Sequence, residues 1–261
     1  MQPFAVSHGY LAVRFVSTAL LLYVGICAAL FVFQRALIYF PQPSTVGGSA
    51  TTFTMPVPGA DLSVSVRPHA GPKALIYFGG NAEDVSVNLP SFSNAFPEHA
   101  LYLLHYRGYG GSTGKPSEDS LHADAHALFD KVHRDHVEIA VVGRSLGSGV
   151  AVRLASQRPA ARLVLVTPYD SIQEIAAQRF PYFPVRWLLT DKFESWRYAP
   201  TIHIPTLLVE AEFDEVIPRA STERLLAAFK PGTATLVVIP EASHNTISNT
   251  PRYLEALRGA L

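Results

Sequence analysis

Three short runs in the middle of the chain are apolar at every position: Leu75–Phe78 (LIYF), Ile139–Gly143 (IAVVG) and Leu163–Val166 (LVLV). A strand with one wet face alternates apolar and polar residues, whereas a strand covered on both faces reads as a continuous apolar run. These runs therefore require a sheet with helices on either side. Around them the sequence predicts eight strands, at Thr51–Met55, Leu62–Arg67, Ala74–Phe78, Ala100–His105, Glu138–Val142, Arg162–Thr167, Thr206–Glu210 and Thr235–Ile239. The first two read as a hairpin. From the third onward helical or loop segments separate the strands, which points to an α/β fold with a mostly parallel eight-stranded sheet. A chain of 261 residues suits one such domain.

The N-terminal part differs. Phe15–Phe33 (FVSTALLLYVGICAALFVF) carries no charge over 19 residues and is flanked by Arg14 and Arg35. As a helix it would span about 28 Å, close to the hydrocarbon core of a bilayer. A buried core helix is usually shorter and has a polar face. A cleaved signal peptide has a shorter apolar region and ends in small residues, whereas this run ends in Phe31-Val32-Phe33. Ile26 before Cys27 also argues against a lipoprotein signal. The expected organisation is thus a single membrane anchor in residues 1–40, a Pro/Gly/Ser-rich linker in 41–50 and an α/β domain in 51–261. One Arg on each side of the apolar run leaves the orientation of the anchor open.

Twenty-one Lys and Arg balance twenty-one Asp and Glu, so nothing in the charge suggests a nucleic-acid partner. The single cysteine, Cys27, cannot form an internal disulfide. No Cys/His cluster has zinc-ligand spacing and no acidic run resembles a calcium loop, so no metal is expected.

Gly143-Arg144-Ser145-Leu146-Gly147 matches G-x-S-x-G. The five residues alone are a weak signal, and their setting sharpens it. They follow an apolar strand and precede a helical pattern, the strand–turn–helix context of a nucleophile elbow. There the glycines permit a strained turn with helix and strand packed close, and the helix N-terminus favours negative charge beside the Ser oxygen. A serine hydroxyl needs a base, and the base needs an orienting acid. Among ten histidines only His244 lies just after the last expected strand. That is the place for the base in the chain order Ser, acid, His. His122, His126, His133 and His136 fall in a polar helical stretch and read as solvated, and His105 reads as structural. Asp214, directly after the seventh strand, is the first choice for the acid. Asp170 after the sixth strand is the alternative, with Glu212 and Glu215 behind it. An oxyanion hole needs two backbone N–H groups. Leu146 supplies one, and Asn81 in the loop Gly79-Gly80-Asn81-Ala82 the other. Residues 168–204 contain FPYFPVRWLLTDKF, aromatic and Pro-rich for a plain crossover. They read as a cap over the site, or as a longer crossover whose aromatics pack inward.

YFGGNAED, LHYRGYGGSTGKPSED, VVGRSLGSGVA, TPYDSIQEIA, EFDEVIP and ASHN occur in this order, with QRALIYFPQP after the apolar run. Together they resemble the membrane-anchored α/β-hydrolase-domain serine hydrolases, a branch that includes lysophospholipid lipases and protein depalmitoylases. The resemblance extends over roughly residues 30–255. It implies Ser145, Asp214 and His244 as the triad, backbone N–H groups of Asn81 and Leu146 as the oxyanion hole, and no cofactor. One departure is Gly79-Gly80-Asn81, where the family usually has His-Gly-Asn. The expected activity is serine-mediated hydrolysis of carboxylic esters or thioesters, on acyl or lipid-like substrates near a membrane. The resemblance does not transfer a substrate, and nothing in the residues separates acyl oxygen from acyl nitrogen leaving groups. A catalytically silent membrane-bound module of the same fold is the contrasting expectation, disfavoured by the complete set of Ser, acid, His and glycine loop.

Overall fold

The computed structural model describes residues 4–45 and 52–261. Residues 46–50 of the expected linker and Thr51 of the first expected strand lie outside the described residues. All eight strands form: β1 (Thr52–Val57), β2 (Ala60–Arg67), β3 (Lys73–Phe78), β4 (Ala100–Leu104), β5 (Glu138–Arg144), β6 (Arg162–Val166), β7 (Thr206–Phe213) and β8 (Ala234–Ser243). They make one sheet in the order β1-β2-β4-β3-β5-β6-β7-β8. The β1–β2 and β2–β4 pairs are antiparallel and all later pairs are parallel. The crossover that places β3 between β4 and β5 puts the C-terminal ends of β3 and β5 side by side, with Phe78 paired to Gly143. In open α/β sheets the crevice that takes ligands lies at such ends.

The apolar runs are buried on both faces, as their composition demands. Ile76, Phe78, Val141 and Leu165 face one core, together with Leu121 and Leu128 of α3 (Glu118–Val132), Val150 and Leu154 of α4 (Leu146–Ala155) and Leu225 of α8 (Arg219–Ala228). Leu75, Tyr77, Val142 and Val164 face the other, against Phe92 of α2 (Leu89–Ala95) and Tyr253 and Leu257 of α9 (Pro251–Ala260). Strands β7 and β8 outrun the expected limits, pairing as far as Phe213 and Ser243 across a register shift at Ala211/Phe213. The expected β8 ends at Ile239, before Pro240. An edge strand tolerates a proline, whose missing N–H breaks no ladder on the open side.

Helix α1 (Phe4–Ile38) has 35 residues, and its part from Gly9 to Ile38 is apolar and long enough to cross a membrane. Its last turns are docked on the domain. Gln34 and Tyr39 are buried, Arg35 pairs with Asp191 at 3.1 Å, and the Tyr39 hydroxyl donates to Asp191 at 2.9 Å. Residues 41–45, read from sequence as linker, have no helix or strand but are also bonded to the domain. The Gly110 N–H donates to the Gln42 carbonyl, and the Thr45 N–H to Asp84.

The chain between β6 and β7 divides in two. Helices α5 (Ile172–Arg179) and α6 (Val185–Leu188) stand over the C-terminal edge of the sheet beside α1. The remainder, with α7 (Ser195–Tyr198), returns to the core through buried Phe193, Ala199 and Ile202. Glu118 of α3 fixes the return point by accepting from the Lys192 and Phe193 N–H groups at 2.6 and 3.0 Å.

Candidate active site

Ser145 sits between β5 and α4 with φ 49° and ψ −117°. This is unfavourable for a residue with a Cβ and has to be held by its surroundings. The Ser145 N–H donates to the Val166 carbonyl at 2.9 Å, and its own carbonyl accepts from the Ser148 N–H and hydroxyl. The flanking glycines are required by contact. A Cβ at Gly143 would lie 2.3 Å from the Gly147 carbonyl oxygen, and one at Gly147 would lie 2.1 Å from that of Phe78. The helix start is therefore pressed against β3 and β5, and the serine projects from the tight turn.

His244 Nε2 lies 3.0 Å from Ser145 Oγ, and Nδ1 lies 2.9 and 3.0 Å from the two Asp214 oxygens. A carboxylate facing Nδ1 keeps the proton there and leaves the Nε2 lone pair toward the hydroxyl. Asp214 Oδ1 also accepts from the Val216 and Ile217 N–H groups at 2.9 and 2.7 Å, which fixes its rotamer. Asp214 and His244 directly follow the extended ends of β7 and β8, so the length of those strands sets their reach. Of the other acids, Asp170 is engaged by Arg224 at 2.6 Å and by the Ser221 hydroxyl. Glu212 accepts from the Glu241 N–H. Glu215 accepts from the backbone N–H of His244, not from its ring. Two of the histidines read as solvated are buried. His122 lies against Phe193 and Glu118, and His136 lies between Tyr102 and the Gly71 carbonyl. Each is covered by a distant segment, His122 by Phe193 and His136 by Tyr102 and the Gly71 carbonyl.

Asn81 and Leu146 line the same cavity as Ser145, and among the described residues neither backbone N–H has a protein acceptor. The Asn81 loop is tightly held. Its carbonyl accepts from the Tyr109 hydroxyl at 2.6 Å and the Phe40 N–H at 3.1 Å, while its side-chain amide donates to the Ile38 carbonyl. The Tyr106 hydroxyl donates to the Gly79 carbonyl, and that of Tyr169 to the Leu146 carbonyl. Burial pushes all three phenols well above their ordinary range, so they stay donors. The space an imidazole would need at position 79 is filled by Val85, since a Cβ there would lie 2.4 Å from Val85 Cγ1.

Two residues of the site escaped the sequence reading. Glu83 accepts from the Gly80 N–H at 2.7 Å, from the Tyr77 hydroxyl and from Asn88. Arg144, the variable residue before the serine, lies 3.5 Å from Glu83 and donates to the His244 carbonyl. Burial alone would lower the Arg144 pKa, but Glu83 beside it leaves it raised. The only sequence signals for this pair were an acid soon after two glycines and a cation inside the elbow.

The cavity lined by Ser145 has a volume of about 280 Å³. Its walls are largely apolar and include Leu30, Leu37 and Ile38 of α1, Ile172 and Ile175 of α5, Leu188 at the end of α6, and Ile217 after β7. Among the described residues no Asp or Glu lines it.

Comparison with known proteins agrees with this architecture. The family described as serine aminopeptidase, S33, matches residues 95–201, a stretch that holds the elbow but stops before β7. An uncharacterised protein of Mycobacterium tuberculosis is 36% identical over 85% of this chain and 84% of its own length. An α/β-hydrolase domain-containing protein of Caenorhabditis elegans is 33% identical over 70% of this chain and 56% of its own. A lysophosphatidylserine lipase of Xenopus tropicalis is 32% identical over 55% of this chain and 43% of its own. Among solved structures, an esterase of Pyrococcus furiosus superposes with a TM-score of 0.67 over 85% of this chain and 98% of its own. At 17% identity, that likeness is one of fold. With an elbow between β5 and α4, a doubly covered eight-stranded sheet and these relatives, the chain belongs to the α/β-hydrolase-domain family of hydrolytic enzymes.

Proposed function

We propose that the protein hydrolyses carboxylic esters or thioesters of apolar acyl groups through an acyl-enzyme on Ser145. His244 accepts the Ser145 proton as Oγ attacks the acyl carbonyl, and Asp214 orients the ring and stabilises the imidazolium that forms. The carbonyl oxygen, now negative, is met by the N–H groups of Asn81 and Leu146 at the start of α4. His244 then returns the proton to the departing alcohol or thiol. Water activated by the same base releases the acid and restores the serine.

The observation that carries this reading is the 3.0 Å contact between His244 and Ser145, with Ser145 lining an apolar cavity. An acyl chain gains by burial there. A peptide amine would find no carboxylate on the walls among the described residues, which disfavours an aminopeptidase despite the family's description. A lipase among the relatives fits an acyl substrate. Helix α1 is read as a membrane span that holds the domain against a bilayer, where such substrates concentrate. Within this assignment residues 1–40 anchor, 41–50 link, 51–261 carry out the chemistry, and α5–α6, within 168–204, form the cap. The test is covalent labelling with a fluorophosphonate. Wild type should carry one adduct, at Ser145, and Ser145→Ala should lose both adduct and turnover. An active, labelled Ser145→Ala enzyme would remove the assignment.

A further inference from the structure

The turn that joins α5 to α6, Phe180-Pro181-Tyr182-Phe183-Pro184, leaves the domain and runs along α1. The Phe183 ring stacks on the Tyr23 ring with centroids 5.8 Å apart, and the Tyr23 hydroxyl donates to the Tyr182 carbonyl at 2.9 Å. Tyr23 lies inside the uncharged run. It is twelve residues from Arg35, where α1 meets the domain at Asp191, and at a helical rise that is about 18 Å. A turn that reaches Tyr23 therefore extends well into the apolar length of α1.

Among the described residues nothing covers its outer side. Tyr182 is 85% exposed, Trp187 of α6 89% and Phe180 44%. An aromatic surface of this kind costs free energy in water and marks an interaction site. The backbone indicates which kind. Hydrocarbon tolerates irregular chain only where its polar groups are satisfied within the protein. Pro181 and Pro184 have no N–H to satisfy. The Phe180 and Phe183 N–H groups donate to the Ala176 and Phe180 carbonyls. The Phe183 carbonyl accepts from Val185, that of Pro184 from Trp187 and Leu188, and that of Tyr182 from Tyr23. The turn is thus nearly self-satisfied, and one of its bonds comes from α1 itself. Phe183 and Val185 also line the cavity that leads to Ser145, opposite Leu30 and Leu37 of α1.

We infer that the Phe180–Pro184 turn and Trp187 insert into the bilayer beside α1. The mouth of the cavity then opens below the headgroups, and the acyl chain of a membrane ester reaches Ser145 without crossing water. The inference rests on the reading that α1 lies in a membrane.

The test uses the full chain carrying Trp196→Phe, so that Trp187 is the sole tryptophan. The protein is reconstituted in phosphatidylcholine vesicles with or without bromine on the acyl chains. Hydrolysis of a short soluble ester first shows that the variant is folded. Vesicle flotation reports α1, and tryptophan emission reports the turn. The expected result is co-flotation with a blue-shifted Trp187 emission that is lost in brominated lipid and resists aqueous iodide. Co-flotation with iodide-quenched, bromine-insensitive emission would overturn the insertion of the turn while leaving α1 in the membrane. Failure to float would overturn the membrane reading, and the inference with it.

Discussion

Gly147→Ala tests the close packing on which the proposed site depends. The added methyl would lie 2.1 Å from the Phe78 carbonyl oxygen and 2.7 Å from that of Gly79. Ordinary contact begins at 3.4 Å, so α4 and the end of β3 must part by about 1.3 Å. Both obstacles are backbone, and neither can rotate away. Overpacking of this kind typically costs about 1–3 kcal/mol of stability. The effect on turnover should be larger in proportion. Leu146 and Ser145 lie at the start of α4, whereas Asn81 follows the end of β3, so the same movement pulls the two N–H donors apart. A misplacement near 1 Å costs roughly 10²-fold in rate, and loss of one oxyanion donor about 10²–10³. The expected outcome is a folded enzyme with kcat down about 100-fold or more. Urea unfolding and initial rates on p-nitrophenyl butyrate would be measured side by side. Gly259→Ala is the control, since its Cβ meets nothing within 4 Å in α9. It should be neutral or stabilising by up to about 1 kcal/mol. A Gly147→Ala protein with unchanged stability and unchanged kcat would refute the reasoning.

Asp214→Asn should leave the unfolding midpoint near wild type and cut kcat by roughly 10⁴. Asp170→Asn, which weakens the bond to Arg224, should cost about 1–3 kcal/mol and spare kcat; the opposite pattern would exchange their roles. A chain beginning at residue 44 loses Ile38 and Phe40 from the Asn81 loop and Leu30 and Leu37 from the cavity wall. Its turnover even on short soluble esters should fall about tenfold or more, given the sensitivity of rate to placement. Full activity of that chain would show α1 to be a tether alone. Burial lowers the pKa of His105 and, against the opposing pull of Glu118, that of His122. Their folded-state values thus lie below the unfolded value of about 6.5. The unfolded chain then binds more protons. The contribution of these groups is fully present above that value and is lost as pH falls below it, at up to about 1.4 kcal/mol per pH unit for each histidine. Urea midpoints at pH 7.5 and 5 should differ accordingly, and equal midpoints would contradict this.

What could be read from the sequence was local. Runs such as IAVVG declare a doubly buried strand by composition alone, and the strand–glycine–serine–helix order locates Ser145 within a few residues. The order of the strands also points to Asp214 and His244, and the structure brings His244 to the serine and Asp214 to the far side of the imidazole. What could not be read was anything set by a distant partner. Gln34 looks like an ordinary residue after an apolar run, yet its amide donates to the Leu188 carbonyl and its side-chain oxygen accepts from Thr190. The chain between them gives no hint of the meeting. His122 and His136 looked solvated because their neighbours in sequence are polar, and burial follows from packing instead. The docking of α1 escaped for the same reason, since an apolar stretch of membrane length suggests a tether and not a wall.

The Arg144 guanidinium joins two loops that the chain supplies far apart, the one behind Gly80 through Glu83 and the one bearing His244. Neither loop can swing outward without leaving a largely buried charge behind, which is costly. Local opening at this end of the sheet should therefore be concerted. In native-state hydrogen exchange the Gly80 amide, bonded to Glu83, and the His244 amide, bonded to Glu215, should report one shared opening free energy. Arg144→Met should let the two amides exchange independently.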